Sequence, residues 1–155
     1  MSNGDDPLSE MRRAALGWLA RREFSRHDLA QRLARKFPDE DGAPVLDWLE
    51  SERFLDDRRF AEVYFRSRVE RDHGPLRIRQ DMRQRGLADA LITDQFEQQS
   101  PDWFARAAGL RQRRFGAPPA PGDDKGRARQ LRFLQYRGFT AEQCFHALSG
   151  ADADA

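Results

Sequence analysis

Gly74-Pro75-Leu76-Arg77-Ile78-Arg79-Gln80-Asp81-Met82-Arg83-Gln84-Arg85-Gly86-Leu87 is the stretch on which the fold turns, because it returns in outline further along the chain. Gly74, Arg77, Met82, Arg85, Gly86 and Leu87 correspond to Gly126, Arg129, Leu134, Arg137, Gly138 and Phe139, each pair 52 positions apart. A fainter copy lies upstream, where Ser25, Leu29, Leu33 and Lys36 fall 49 positions before Gly74, Ile78, Met82 and Arg85. Each copy reads as a helix that opens at a small residue, carries an apolar seam at one-turn spacing and, in the two later copies, closes with Arg-Gly-hydrophobic. Gly86 is the residue expected in the left-handed conformation that ends such a helix. Repetition at a fixed period predicts an array of small helical units, none able to bury its apolar face alone. Such an array offers a binding surface rather than a reaction vessel.

Start and stop signals around these copies predict nine helices in three groups of three, and no alternating β-branched run suggests a strand. The first helix is expected over about residues 9–22. Ser25-Arg26-His27-Asp28 reads as a capping box opening the second, with Leu29, Leu33 and Phe37 as its buried seam, and Pro44 at N1 opens the third. The cycle restarts where Asp56 and Asp57 place negative charge at a helix N-terminus. It restarts again at Ser100-Pro101-Asp102, read as a cap, an N1 proline and a first-turn acid. Thr140-Ala141-Glu142-Gln143 is a further capping box. The expected organisation is a flexible terminus over 1–8, three-helix repeats over 9–53, 54–99 and 100–150, and a flexible terminus over 151–155. A proline-rich loop over 116–122 interrupts the third repeat. The fold class is all-α, three tandem three-helix repeats forming an elongated, curved array.

Composition narrows the function. No stretch is apolar enough to span a bilayer, and the N-terminus lacks the apolar core of a secretory leader. Cys144 is the single cysteine, so no intrachain disulfide can form, and a cytoplasmic protein is expected. The net charge is +1, yet residues 1–65 hold 11 basic and 14 acidic side chains, whereas residues 106–155 hold 9 and 5. Of the 27 basic residues only Lys36 and Lys125 are lysine, and arginine's planar fork suits carboxylates and phosphates. A genomic bias toward arginine codons explains the same ratio.

Catalysis finds no support. His27, His73 and His146 are scattered and read as surface or capping residues, and Cys144 lies on an apolar seam where a thiol is inert. No metal-ligand spacing, phosphate loop or nucleophile motif occurs, so no catalytic residue, metal or cofactor is expected. The acid-rich stretch Glu50, Glu52, Asp56 and Asp57 reads as a solvated helix end. The aromatic residues Trp18, Trp48, Trp103, Phe60 and Phe96 fit core packing better than base stacking. The arginines are the stronger lead. Arg79 and Arg83 share a helix face at i and i+4, flanked by Arg77 and Arg85, while Ile78 and Met82 point to the core. Arg129, Arg132 and Arg137 distribute similarly around Leu131 and Leu134. This pattern predicts an electropositive track for nucleic-acid phosphates or for acidic groups on a protein; an ordinary solvated helix face is the alternative.

Several segments, taken in order, resemble the bacterial regulatory protein family RecX. They are Trp18-Leu19-Ala20-Arg21-Arg22-Glu23-Phe24-Ser25 followed by Asp28-Leu29 and Arg32-Leu33; Phe54-Leu55-Asp56-Asp57-Arg58-Arg59-Phe60-Ala61; Gly74-Pro75-Leu76-Arg77-Ile78 with Arg85-Gly86-Leu87; and Arg137-Gly138-Phe139-Thr140. The resemblance covers about residues 10–149. The first copy departs from it by lacking the closing Arg-Gly. The resemblance implies a negative regulator of the recombinase RecA, seated in the groove of the RecA–single-stranded DNA filament and inhibiting its ATPase, growth and strand exchange. That activity would moderate recombination, DNA repair and the SOS response. Arg66, Arg68, Arg71, Arg77, Arg79, Arg83 and Arg85 are then the contact candidates of the middle repeat, and Arg129, Arg132 and Arg137 those of the last. Single- and double-stranded DNA are expected to bind weakly and without sequence preference, no membrane is involved, and a monomer is the simplest state. Two other readings remain: a helix-turn-helix-like transcriptional regulator reading duplex DNA directly, and a helical scaffold for an acidic protein.

Overall fold

The structure is a computed structural model in which residues 6–150 are described. Those residues form nine α-helices: α1 Pro7–Leu19, α2 Arg26–Lys36, α3 Ala43–Ser51, α4 Asp57–Glu70, α5 Pro75–Gln84, α6 Asp89–Gln99, α7 Trp103–Phe115, α8 Asp124–Tyr136 and α9 Ala141–Leu148. No strand occurs among the described residues. Residues 1–5 and 151–155, expected to be flexible, lie outside the described residues. α1 begins at Pro7, with Asp6 accepting from Leu8 N, two residues before the sequence places it. It ends at Leu19, before Ala20.

Local chemistry explains most helix ends, and in places differs from the sequence reading. Ser25 caps α2 by accepting from Asp28 N. The reciprocal half of a capping box is replaced by long-range bonds: Asp57 accepts from Arg26 N, and Asp28 accepts from Arg85. Thr140 and Gln143 make a complete box on α9. α7 is capped by Asp102, which accepts from Ala105 N; Ser100 stands outside the helix with φ 41°. α8 opens at Asp124, capped by Asp123, with Gly126 in its first turn.

Four helices close in the same way. After α3, α4, α5 and α8, the chain folds back so that one amide reaches five residues behind and its predecessor reaches three. The pairs are Phe54 N to Leu49 O with Arg53 N to Glu50 O; His73 N to Arg68 O with Asp72 N to Val69 O; Leu87 N to Met82 O with Gly86 N to Arg83 O; and Phe139 N to Leu134 O with Gly138 N to Gln135 O. This closure satisfies carbonyls that the helix would otherwise orphan, and it needs one left-handed residue. Arg53, Asp72, Gly86 and Gly138 hold that conformation, with φ 62°, 65°, 76° and 97°.

The chain divides into two compact units. One comprises residues up to Val63 together with Met82–Ile92. Its core is Met11, Ala15, Phe24, Leu29, Leu33, Val45, Leu46, Leu49 and Leu55, walled by Trp18 and Trp48. The first turn of α2 is fastened there by Arg26, which pairs with Asp47 at 2.9 Å and with Glu50. Asp56 caps α4 by accepting from Arg58 N and Arg59 N. The stretch read as a solvated helix end therefore supplies structural partners for α2 and α4. Ser25 Oγ donates to Arg85 O at 2.7 Å, and a Cβ on Gly86 would fall 2.6 Å from His27 Cγ. The Arg85-Gly86 closure of α5 is thus seated on the start of α2.

The other unit comprises Tyr64–Asp81 with residues from Thr93 onward. Its core joins Ala107, Ala108, Leu110, Leu134, Phe139, Cys144 and Ala147 to Trp103, Leu131 and Phe133. Phe65 packs edge-to-face against Phe96 and Trp103, which are tilted to each other, with centroids 4.8–6.2 Å apart. Phe145 on α9 is exposed. The seating seen in the first unit recurs here one repeat later. Gly74 N donates to Arg137 O at 2.7 Å and Leu76 N to Gly138 O at 2.9 Å. A Cβ on Gly74 would lie 2.5 Å from Gly138 O, and one on Gly138 would lie 2.7 Å from Arg77 N.

Gly138 therefore combines a left-handed φ with a backbone pressed against it, whereas a Cβ added at Gly17, inside α1, would meet nothing within 4 Å. Gly138→Ala is expected to destabilise the chain by about 2–4 kcal/mol, from left-handed strain plus overpacking. Gly17→Ala should stabilise it by about 0.5–1 kcal/mol through helix propensity. Urea unfolding followed by circular dichroism checks both signs.

Candidate functional site

The α4–α5 corner is where the structure concentrates unusual chemistry. α4 ends at Glu70, and its left-handed closure at Asp72 turns His73 inward. His73 is only 7% exposed, which corrects its reading as a surface or capping residue. Burial lowers its pKa to about 4, reinforced by the charges of Arg77, Arg68 and Arg137 and opposed by Asp81. Its Nδ1 is buried without a hydrogen-bond partner, and so is Arg68 Nε. At physiological pH the imidazole is neutral and the guanidinium groups around it hold the charge.

The C-terminus of α4 accounts for part of this gathering, since its exposed carbonyls carry the negative end of the helix dipole. Arg106 donates to Val69 O at 3.4 Å and Arg137 to Arg71 O at 3.4 Å. Arg113 donates to Asp72 at 2.8 Å. Arg68 lies over the Tyr64 ring at 4.7 Å. Arg77 faces Asp81 at 3.9 Å, beyond hydrogen-bonding distance, and its guanidinium lies 5.6 Å from the centre of the Tyr136 ring.

Of the ten arginines singled out in the sequence, the structure brings Arg68, Arg77 and Arg137 together around His73, with Arg71 adjoining. The others are placed elsewhere. Arg66 is exposed on α4. Arg79 is half-buried over the Phe96 ring at 4.5 Å, Arg83 pairs with Asp89 at 3.3 Å, and Arg85 reaches Asp28 at 3.3 Å. Arg129 and Arg132 are exposed on α8, Arg129 being 5.9 Å from the Phe115 ring. The uniform arginine face expected on α5 is thus three different arrangements: a stem pressed on Gly138, a lid on an aromatic ring, and two ion pairs. Ile78 and Met82 are fully buried, as their spacing predicts.

Sequence reasoning missed Arg106, Arg111 and Arg113. Arg111 is 4% exposed, donates to Gly116 O at 2.7 Å and has its pKa lowered by burial, which makes it a brace for the proline-rich loop. It also missed Tyr136, which is 79% exposed. One signal was present: Tyr136 stands 52 positions after Gln84, so an aromatic occupies the place where the earlier copy has an outward polar residue. Cys144 is buried and its thiol is pushed up to about 11, leaving it protonated. Among the described residues, no group of three or more His, Cys, Asp and Glu is arranged to hold a metal ion. No helix there is long and apolar enough to cross a membrane.

Fold and site define a tandem three-helix-repeat protein with an arginine-rich corner. Three family profiles match it in order: RecX, first three-helix domain, over residues 12–49; second three-helix domain over 56–94; and third three-helix domain over 101–148. The chain belongs to the RecX family of regulatory proteins. It is 50% identical to the regulatory protein RecX of Halorhodospira halophila over 155 residues, which covers 99% of this chain and 96% of that one. It is 41% identical to the regulatory protein RecX of Pseudomonas entomophila over 149 residues, covering 96% and 95%. The crystal structure of RecX from Lactobacillus salivarius superposes with a TM-score of 0.75 at 19% identity, over 93% of this chain and 96% of that one, which shows the shared fold.

The buried neutral His73 makes a pH prediction. The unfolded chain binds this proton near the ordinary value of 6.5 and the folded chain only near 4. Between those values the unfolded state holds more protons, so this group's contribution is complete above 6.5 and is lost as pH falls toward 4. An NMR titration should place the His73 imidazole well below the ordinary value of 6.5, and a midpoint at or above 6.5 would contradict the burial.

Proposed function

We propose that this chain is a negative regulator of RecA. It binds the RecA–single-stranded DNA filament in the cytoplasm, without chemistry of its own, and inhibits the filament's ATPase, growth and strand exchange. Recombination, DNA repair and the SOS response are moderated as a result. The observation that carries the reading is the succession of all three RecX domains over residues 12–148. The arginine distribution supports it. A filament presents phosphates and acidic protein surface at repeated intervals, and arginine forks match both.

In this reading the exposed arginines provide attraction and the buried ones provide shape. Arg66 and Arg71 on the α4 side and Arg129 and Arg132 on α8 are the contacts to reverse, because all four are exposed. Arg79 and Arg83 are poorer targets, since changing them uncovers Phe96 and releases Asp89. DNA contacts are sequence-blind and fall steeply with salt.

The test is RecA's ATPase on single-stranded DNA with sub-stoichiometric amounts of the chain. The intact protein is expected to inhibit. The charge-reversed variant with Arg66, Arg71, Arg129 and Arg132 all changed to Glu should need about tenfold more protein for the same effect, the order expected when several interfacial charges are inverted. Undiminished ATPase with the intact chain sinks the proposal. Full inhibition by the variant removes these arginines from it.

A further inference from the structure

Tyr136 stands on the last turn of α8, directly before the Arg137-Gly138 closure that seats on α5. Single exposed aromatics are common on protein surfaces and mean little alone. This one has defined surroundings. The Arg77 guanidinium lies 5.6 Å from its ring centre, and that of Arg137, the next residue, lies 5.3 Å from the centre of the Phe133 ring. Leu76, 57% exposed, belongs to the same seam, where its amide is bonded to Gly138 O. Arg71 is exposed, and its carbonyl accepts from Arg137.

The nearby acids leave this corner positive. Asp72 is engaged by Arg113 at 2.8 Å, and Asp81 faces Arg77 at 3.9 Å. Beneath lie Arg68, whose Nε has no partner, and His73, whose Nδ1 has none. Three guanidinium groups therefore surround an uncharged buried ring, next to an aromatic face open to solvent.

We infer that this corner is a contact for single-stranded nucleic acid, with one base stacked on Tyr136 and the flanking phosphates held by Arg77, Arg137 and Arg71. Arginines tracking a backbone beside an aromatic platform are the common physical basis of such contacts, and stacking tolerates any base because every base has a π-face. A duplex fits less well, since its bases already stack on one another. An acidic protein patch fits less well too, because it would leave the open ring face unused. This inference rests on the regulatory reading above in that the filament supplies the single strand, and it names the strand as what this corner touches.

Fluorescence anisotropy at low salt, with RecA absent, tests it on three labelled probes: oligo-dT, an abasic strand of equal length and a duplex of equal length. The intact chain should bind oligo-dT at least about fivefold more tightly than the abasic strand, the lower range of single-base stacking. Tyr136→Ala should lower oligo-dT affinity to the abasic level and leave abasic binding unchanged, whereas Tyr136→Phe should keep the difference. The site is overturned if the intact chain binds oligo-dT no better than the abasic strand, or prefers the duplex. It is overturned equally if Tyr136→Ala binds oligo-dT like the intact chain while losing inhibition of RecA, which would make Tyr136 a protein contact. Stacking on oligo-dT by a chain that leaves RecA's ATPase untouched would retain this site and discard the regulatory reading.

Discussion

The structure depends on one recurring contact: the closure of a repeat's second helix presses its backbone onto the start of the second helix one repeat earlier. In one compact unit, Arg85 O accepts from Ser25 Oγ and Gly86 is packed against His27. In the other, Arg137 O accepts from Gly74 N and Gly138 is packed against Arg77. In the second case the contact solves two problems together. The first amides of a helix and the last carbonyls of another are both orphaned, and here they satisfy each other. The approach is close enough that no side chain fits, so glycine stands at Gly86 and Gly138, and also at Gly74 where backbone replaces the serine hydroxyl. The Arg-Gly pair that ends a helix is thereby also what docks it.

This explains which parts of the chain are legible as sequence. Helix-forming segments, the seams of Leu29 and Leu33 or Ile78 and Met82, and the closures at Gly86 and Gly138 depend on residues close in the chain, so spacing reveals them. Openings are read less well. Spacing makes Gly126 the counterpart of Gly74, but it makes room for the Asp123 carboxylate that caps α8, while Gly74 makes room for another repeat. The two glycines share a place in the repeat and do different things. Ser100 has the residue type of a cap, yet Asp102 is the one that bonds the helix.

The site is less legible than the fold, for a related reason. Whether an arginine faces solvent is decided by what arrives from elsewhere in the chain. Arg79 and Arg83 share a helix face in the sequence, but Phe96 claims one and Asp89 the other. His73 reads as a loop histidine from its neighbours in sequence, but the left-handed turn at Asp72 buries it among Arg68, Arg77 and Arg137. The charge that the repeat propagates is therefore partly structural, committed to helix C-termini and aromatic lids, and partly open to a partner. In the proposed reading, recognition of the RecA–DNA filament uses the second part together with the half-buried Arg77 and Arg137. The first part fixes where it stands.

Amide hydrogen exchange by NMR tests the docking contact most directly. Gly74 and Leu76 lie at a helix start, where amides have no partner within their own helix and ordinarily exchange fast. Because they donate to Arg137 O and Gly138 O, their amides should be protected as strongly as those of the buried seam at Ile78 and Met82. Exchange at the rate of an unbonded loop amide at Gly74 and Leu76, with the α5 interior still protected, would contradict the account.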